Sequence, residues 1–176
     1  MRRTLAGDEF STQLRDFKRT ALRCEMQPWY WVASERDAYS NFLAGSPVEP
    51  INVEGSARWL AQVANQRAEG RRMERVRIHR DPPTDYQRWI RWTGQWNIRA
   101  GERIDYLTEG QATVAGLLAG VAQRDWWLFD DKRLMVLTHN EEGRRIHTEL
   151  ITDEAELDRA RAWWDLAVHT TRGENI

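Results

Sequence analysis

The chain has 176 residues, 41% apolar and 30% charged, a balance that excludes a disordered chain and allows one sizeable core. A formal net charge of -1 excludes a global positive field that would gather nucleic acid or anionic lipid, while leaving room for local patches. A single cysteine, Cys24, excludes an internal disulfide and fits a reducing, cytoplasmic setting.

The opening Met1-Arg2-Arg3 lacks the apolar run of a signal peptide, and the longest uncharged stretch, Gln111 to Gln123, is too short to span a bilayer. No membrane association is therefore expected. The first helix is predicted over about Asp8 to Lys18, where Phe10, Leu14 and Phe17 recur at helical spacing. Thr20 to Met26 alternates instead, with Leu22, Cys24 and Met26 on one face and Arg23 and Glu25 on the other, which predicts a half-buried strand and an inert thiol. Pro28 interrupts the pattern before the aromatic run Trp29-Tyr30-Trp31. A helix follows from Ser34 to about Ala44, and Gly45 stops it. Past the Pro47 to Pro50 loop, Trp59, Leu60, Val63 and Ala64 mark a helix over about Glu54 to Glu69.

From Met73 the character changes. Val76 and Ile78 alternate with Arg75, Arg77 and His79 as a strand, Thr84 opens a helix to about Ile98, and Glu102 to Leu107 forms the next strand. Strand, helix and strand in this order predict a right-handed crossover with parallel strands. Gln111 to Ala122 is read as a short helix. Three strands follow, about Asp125 to Phe129, Arg133 to Thr138 and Arg144 to Ile151, with turns at Asp130-Asp131-Lys132 and Asn140 to Gly143. The last helix opens on Asp153 and Glu156 as a capping box, carries Leu157, Ala160, Trp164 and Ala167 on one stripe, and frays from Thr170. The expected architecture is α/β with α+β character. A mixed sheet of about five strands carries one βαβ crossover and C-terminal hairpins, in one domain over residues 1–176. Residues 1–70 form a mostly helical layer, and residues 71–170 form the sheet with its helices.

No catalytic constellation assembles from these residues. His139 and His147 flank an even loop that sends them to opposite faces, and no His-x-x-x-His or Cys-x-x-Cys spacing supports a metal. Asp130 and Asp131 fit turn chemistry better than paired acid/base work. Neither a metal nor a cofactor is expected.

Three binding surfaces remain. On the helix from Thr84, Tyr86, Trp89, Ile90, Thr93 and Asn97 form the inward stripe, while Trp92 falls off it beside Arg88, the composition of an interface anchor unless the N-terminal helices cover it. The loop from Arg80 to Thr84 sits at the carboxyl end of a parallel strand, where Arg80, Asp85 and Tyr86 would line a ligand pocket. Arg71, Arg72, Arg75, Arg77 and Arg80 cluster in one segment, read as a solvated sheet face paired with acids such as Glu74 or Asp81, with nucleic-acid binding as the weaker alternative.

The run Met73 to Ile78, Asp85-Tyr86, Asn97-Ile98, Ala100-Gly101-Glu102, Tyr106-Leu107, Trp126 to Asp130 and the Asn140 to Gly143 turn together resemble an uncharacterised actinobacterial family, domain of unknown function 6879. Members often stand beside helix-turn-helix regulators, so the resemblance implies an accessory, regulatory role with a protein partner. The element order is also similar to a reduced phospholipase D-like fold. That chemistry needs His followed two positions later by Lys, and here Asp81, Glu141, Glu149 and Thr171 stand in those places. The leading expectation is thus a non-catalytic binding module partnering a regulator. A small-molecule sensor or cryptic enzyme is the alternative, and nucleic-acid binding ranks third.

Overall fold

A computed structural model describes residues 1–119 and 124–173. In chain order the elements are β1 (Arg2–Thr4), α1 (Glu9–Asp16), β2 (Thr20–Glu25), α2 (Arg36–Leu43), α3 (Glu54–Ala68), β3 (Arg72–His79), α4 (Asp85–Ala100), β4 (Arg103–Thr108), α5 (Glu109–Val114), β5 (Asp125–Phe129), β6 (Arg133–His139), β7 (Arg145–Ile151) and α6 (Glu154–Thr171). The strands form one mixed sheet in the order β1-β7-β6-β5-β2-β3-β4. The α/β class expected from the element order is thus present, and β3, α4 and β4 make the expected parallel crossover.

The sheet has seven strands rather than about five. β1 escapes a periodicity reading because its three residues are polar and all exposed. β2 also departs from the expected helical N-terminal layer, since it enters the sheet between β3, to which it is parallel, and β5, to which it is antiparallel. The helix expected over Gln111 to Ala122 is α5, which ends at Val114, and residues 120–123 lie outside the described residues. Of the tail expected to fray, α6 holds helical geometry through Thr171, and residues 174–176 lie outside the described residues.

Each face of the sheet is covered. On one face Leu22, Cys24, Val76, Trp126, Leu128 and Leu134 pack against α6 and α5. There Trp126, fully buried, meets Trp163 edge-on at 5.2 Å, and the Trp163 indole N–H donates to the Leu117 carbonyl at 2.8 Å. On the other face Phe17, Ala21, Met73, Trp127 and Phe129 pack against α1 and α3, and α2 with α4 closes the remainder.

Local chemistry fixes α4 in place. Thr84 accepts from the Gln87 backbone N–H at 3.1 Å and the Gln87 side chain accepts from the Thr84 N–H at 3.1 Å, a capping box that contributes about 1 kcal/mol. Further along, Gly94 lets the helix approach the sheet closely. A Cβ there would lie 3.0 Å from the Tyr106 hydroxyl and 3.2 Å from Arg77 Nη1.

Candidate functional site

Strand alternation and register bring charged residues of three neighbouring strands to the face beneath α3 and α4. Arg23 pairs in register with Arg75, Glu25 with Arg77, and Arg23 on its other side with Trp127. Asp125 precedes Trp127 by two positions and shares its face. The alternation of Arg75 and Arg77 predicts a solvated face paired with Glu74, Asp81 or other acids. Instead both are buried, because the helical layer lies over them, and their partners are Glu25 and Glu102. Of the same arginine cluster only Arg72 and Arg80 are exposed, with Arg71 half-buried.

Glu25 is the hub. Its Oε1 accepts from Arg75 Nη1 at 2.6 Å and from Arg23 Nε at 3.4 Å, and its Oε2 accepts from Arg77 Nε at 2.6 Å. Arg75 Nε also donates to Glu102 Oε1 at 2.8 Å, and Asn97 donates to Glu102 Oε2 at 2.6 Å. Arg23 Nη2 donates to Asp125 at 2.9 Å, and the Tyr30 hydroxyl donates to the same oxygen. The Arg23 and Arg75 guanidiniums lie over the Trp127 ring, 5.4 and 5.7 Å from its centroid.

Electrostatics follow from this packing. Burial alone would raise the Glu25 carboxyl, and Arg75, Arg77 and Arg23 reverse this and hold it well below the usual carboxylate range. Burial pushes Asp125 up, and burial followed by the Asp125 charge pushes Tyr30 far up, so the phenol stays protonated. Glu35 is also raised by burial, and it accepts a hydrogen bond from the Tyr86 hydroxyl at 2.9 Å. His139, edge-on to Tyr30 at 5.2 Å, is lowered by burial and favours its neutral form.

Above this floor lies a cavity of about 700 Å³, within the usual size of a small-molecule site. Its walls are Trp59 and Leu60 of α3, Tyr86, Trp89, Ile90, Thr93 and Asn97 of α4, the 30–33 segment, and Phe10 and Leu14. All five residues of the predicted inward stripe of α4 line it. At the mouth, the Trp31 N–H donates to the Gly143 carbonyl at 3.0 Å and the Arg144 guanidinium sits 3.5 Å from the Trp31 ring centroid. Gly143, at φ +72, has to be glycine here, since a Cβ would lie 2.9 Å from the Trp29 carbonyl oxygen.

The predicted pocket residues Arg80, Asp85 and Tyr86 come together in a second, neighbouring groove of about 640 Å³, and only Tyr86 also lines the central cavity. Arg80 is exposed and 3.8 Å from Glu109, and Asp85 is ion-paired with Arg88. Trp92 is half-buried rather than free, held between Phe42 of α2 at 5.8 Å and Trp96 at 4.8 Å. His147 pairs in register with Thr138 and so projects to the opposite face from His139, as expected, but the connection is the five residues 140–144 rather than an even loop, and a register shift between Thr138 and His139 produces the result. Asp130 departs from local turn chemistry. Its carboxylate accepts from the distant backbone N–H groups of Lys18 at 3.0 Å, Arg19 at 2.6 Å and Thr20 at 3.2 Å. Among the described residues no group of three or more His, Cys, Asp or Glu is placed to hold a metal ion, and no helix is long and apolar enough to cross a membrane.

Sequence reasoning missed Arg23, Glu25, Glu102 and Asp125 as site residues, and gave Arg75 and Arg77 to a solvated or nucleic-acid-binding face rather than to a cavity floor. The usable signal was like alternation, Arg-x-Glu in one strand and Arg-x-Arg in another, with helices enough to cover both faces. A family model described as Domain of unknown function (DUF6879) matches residues 8–172. No curated protein matches the chain.

Proposed function

The chain belongs to the DUF6879 family, and from that premise we propose that it is a non-catalytic domain that takes a small molecule into the cavity beneath α3 and α4. The observation that carries this reading is a buried ion network facing an aromatic-walled cavity instead of being packed over. Burying three guanidiniums and three carboxylates costs desolvation that well-packed apolar residues of similar volume would avoid, so such a network is weakly explained by stability alone. Placed on a cavity, it supplies the few fixed polar groups that orient a ligand against apolar walls. Ser56 and Thr93 bring aliphatic hydroxyls to the lining, and among the described residues neither is hydrogen-bonded to a histidine base. This supports binding over covalent chemistry.

A thermal-shift screen of the full chain against a metabolite library tests the reading. A ligand at about a hundred times its dissociation constant adds about 2.7 kcal/mol and raises Tm by roughly 5–10 °C. Thr93→Trp, which fills the cavity from α4, is expected to abolish that shift. A library that gives no shift, or a shift that survives Thr93→Trp, counts against the proposal.

Partnership with a helix-turn-helix regulator is a second reading, supported by the neighbouring groove. Three exposed apolar residues, Trp29, Val32 and Leu43, line it next to Arg36 and Arg80. The groove shares Tyr30, Trp31, Val32, Glu35 and Tyr86 with the cavity, so occupancy of one would bear on the other. Leu43→Asp is expected to abolish capture of a regulator from native lysate, and capture unchanged by this variant would sink the role of the groove.

A further inference from the structure

We propose that the ligand of the central cavity is a planar aromatic monocarboxylate, held by the donor-rich floor and by Arg145 at the mouth. This inference rests on the small-molecule reading above and adds the chemical class. The floor is rich in donors and short of acceptors. Every carboxylate oxygen in it is already engaged: both oxygens of Glu25 by arginines, those of Glu102 by Arg75 and Asn97, and those of Asp125 by the Met26 N–H, Arg23 and Tyr30. The three guanidiniums, by contrast, make fewer than half the hydrogen bonds their N–H groups allow. Arg23, only 5% exposed and on the cavity lining, has its Nη1 buried with no hydrogen-bond partner among the described residues. A bound group with several acceptors and no donors matches this inventory, and a carboxylate facing an arginine fork is the standard case.

The ion pairs bear on the number of acids. Arg23, Arg75 and Arg77 are balanced by Glu25, Glu102 and Asp125. At the mouth Arg144 pairs with Glu142 at 3.4 Å, whereas Arg145 faces the Phe10 ring at 3.9 Å with no acid partner among the described residues. Glu35, the other acid on the lining, is engaged by the Tyr86 hydroxyl at 2.9 Å. Arg145 is thus the one guanidinium of the lining without an acid partner among the described residues, which suits a monoanion better than a phosphate dianion. The rings of Tyr30, Trp31, Trp59, Tyr86, Trp89 and Trp127 supply flat apolar walls for a conjugated body.

Isothermal titration calorimetry of the full chain at neutral pH with four probes of one shape tests this: 2-naphthoate, 2-naphthamide, 2-naphthylmethylammonium and 2-naphthyl phosphate. The acid is expected to bind about tenfold or more tighter than the amide and the ammonium, and tighter than the phosphate. Arg145→Gln, at an exposed position, is expected to cut the advantage of naphthoate over the amide from about tenfold to about threefold or less, and an advantage unchanged by this variant overturns the role of Arg145. Equal binding of acid and amide, or tighter binding of the ammonium or the phosphate, overturns the carboxylate assignment while leaving a cavity that binds small molecules. Failure of all four probes overturns the assignment as well, and coupled with an empty metabolite screen it removes the cavity reading too.

Discussion

Glu25→Ala is expected to lower the unfolding free energy by about 3–5 kcal/mol, the cost of stripping a buried ionic network of one partner. Three guanidiniums converge on this carboxylate from β2 and β3, and its removal leaves Arg77 with no carboxylate partner and Arg23 and Arg75 with one each, Asp125 and Glu102, in a buried site. Glu25→Gln, which keeps acceptor geometry and loses the charge, should fall between alanine and wild type. Urea unfolding at neutral pH measures both. The pH dependence has a definite sign. The folded-state pKa of Glu25 lies below its unfolded value of about 4.3, so its contribution is fully present above that value and is lost as pH falls toward the folded pKa. The stability of wild type should therefore drop through the acid range below about pH 5 more steeply than that of Glu25→Ala. Parallel acid limbs in the two proteins would show that the network is not ionised as described.

Asp130→Ala is the second large effect, about 2–3 kcal/mol, although the residue sits in a hairpin turn. Its carboxylate accepts from three consecutive backbone N–H groups at the entry to β2 and from Arg133 Nη2 at 3.3 Å. Alanine leaves those donors without an acceptor and also occupies a left-handed backbone position, φ 54, that aspartate and asparagine tolerate better. Asp130→Asn keeps the conformation and a neutral acceptor, and should lose about half as much. Burial works to raise this carboxyl, but the N–H groups of Lys18, Arg19 and Thr20 outweigh it and lower the pKa. The contribution is therefore present above the ordinary aspartate pKa and disappears as pH falls through the lowered one. An alanine variant within about 0.5 kcal/mol of wild type would mean that the turn does not organise the start of β2.

Most elements were legible because they rest on local signals. Helical spacing in α1, α3, α4 and α6, alternation in β2 and β3, and the turn residues between β5, β6 and β7 survive into the fold within a few residues of their predicted limits. The inward stripe of α4 was legible down to the residues lining the cavity, since a helix wheel needs only the helix. The floor was not. Arg23 and Glu25 read as the wet side of a half-buried strand, and only the insertion of β2 between β3 and β5, under helices from elsewhere in the chain, turns that side into an interior. Tyr30 follows Pro28 in an irregular segment, and nothing local ties its hydroxyl to Asp125, a residue that joins it only through the sheet. Trp92 shows the converse. The wheel places it off the stripe correctly, but the wheel of one helix says nothing about Phe42 on another.

The central position of β2 also bears on how the molecule is assembled. The β3–α4–β4 unit and the β5–β6–β7 meander are each built from nearby chain, so each closes only short loops and is expected to form early. Neither touches the other in the sheet except through a segment near the amino terminus, which pairs with Met73 on one side and Phe129 on the other. On the ribosome that segment emerges before either unit and meets its second neighbour only after β5 has been made. The clasp that unites the two halves is also the strand that carries Arg23 and Glu25, so the floor of the cavity is complete only once both units have docked on it.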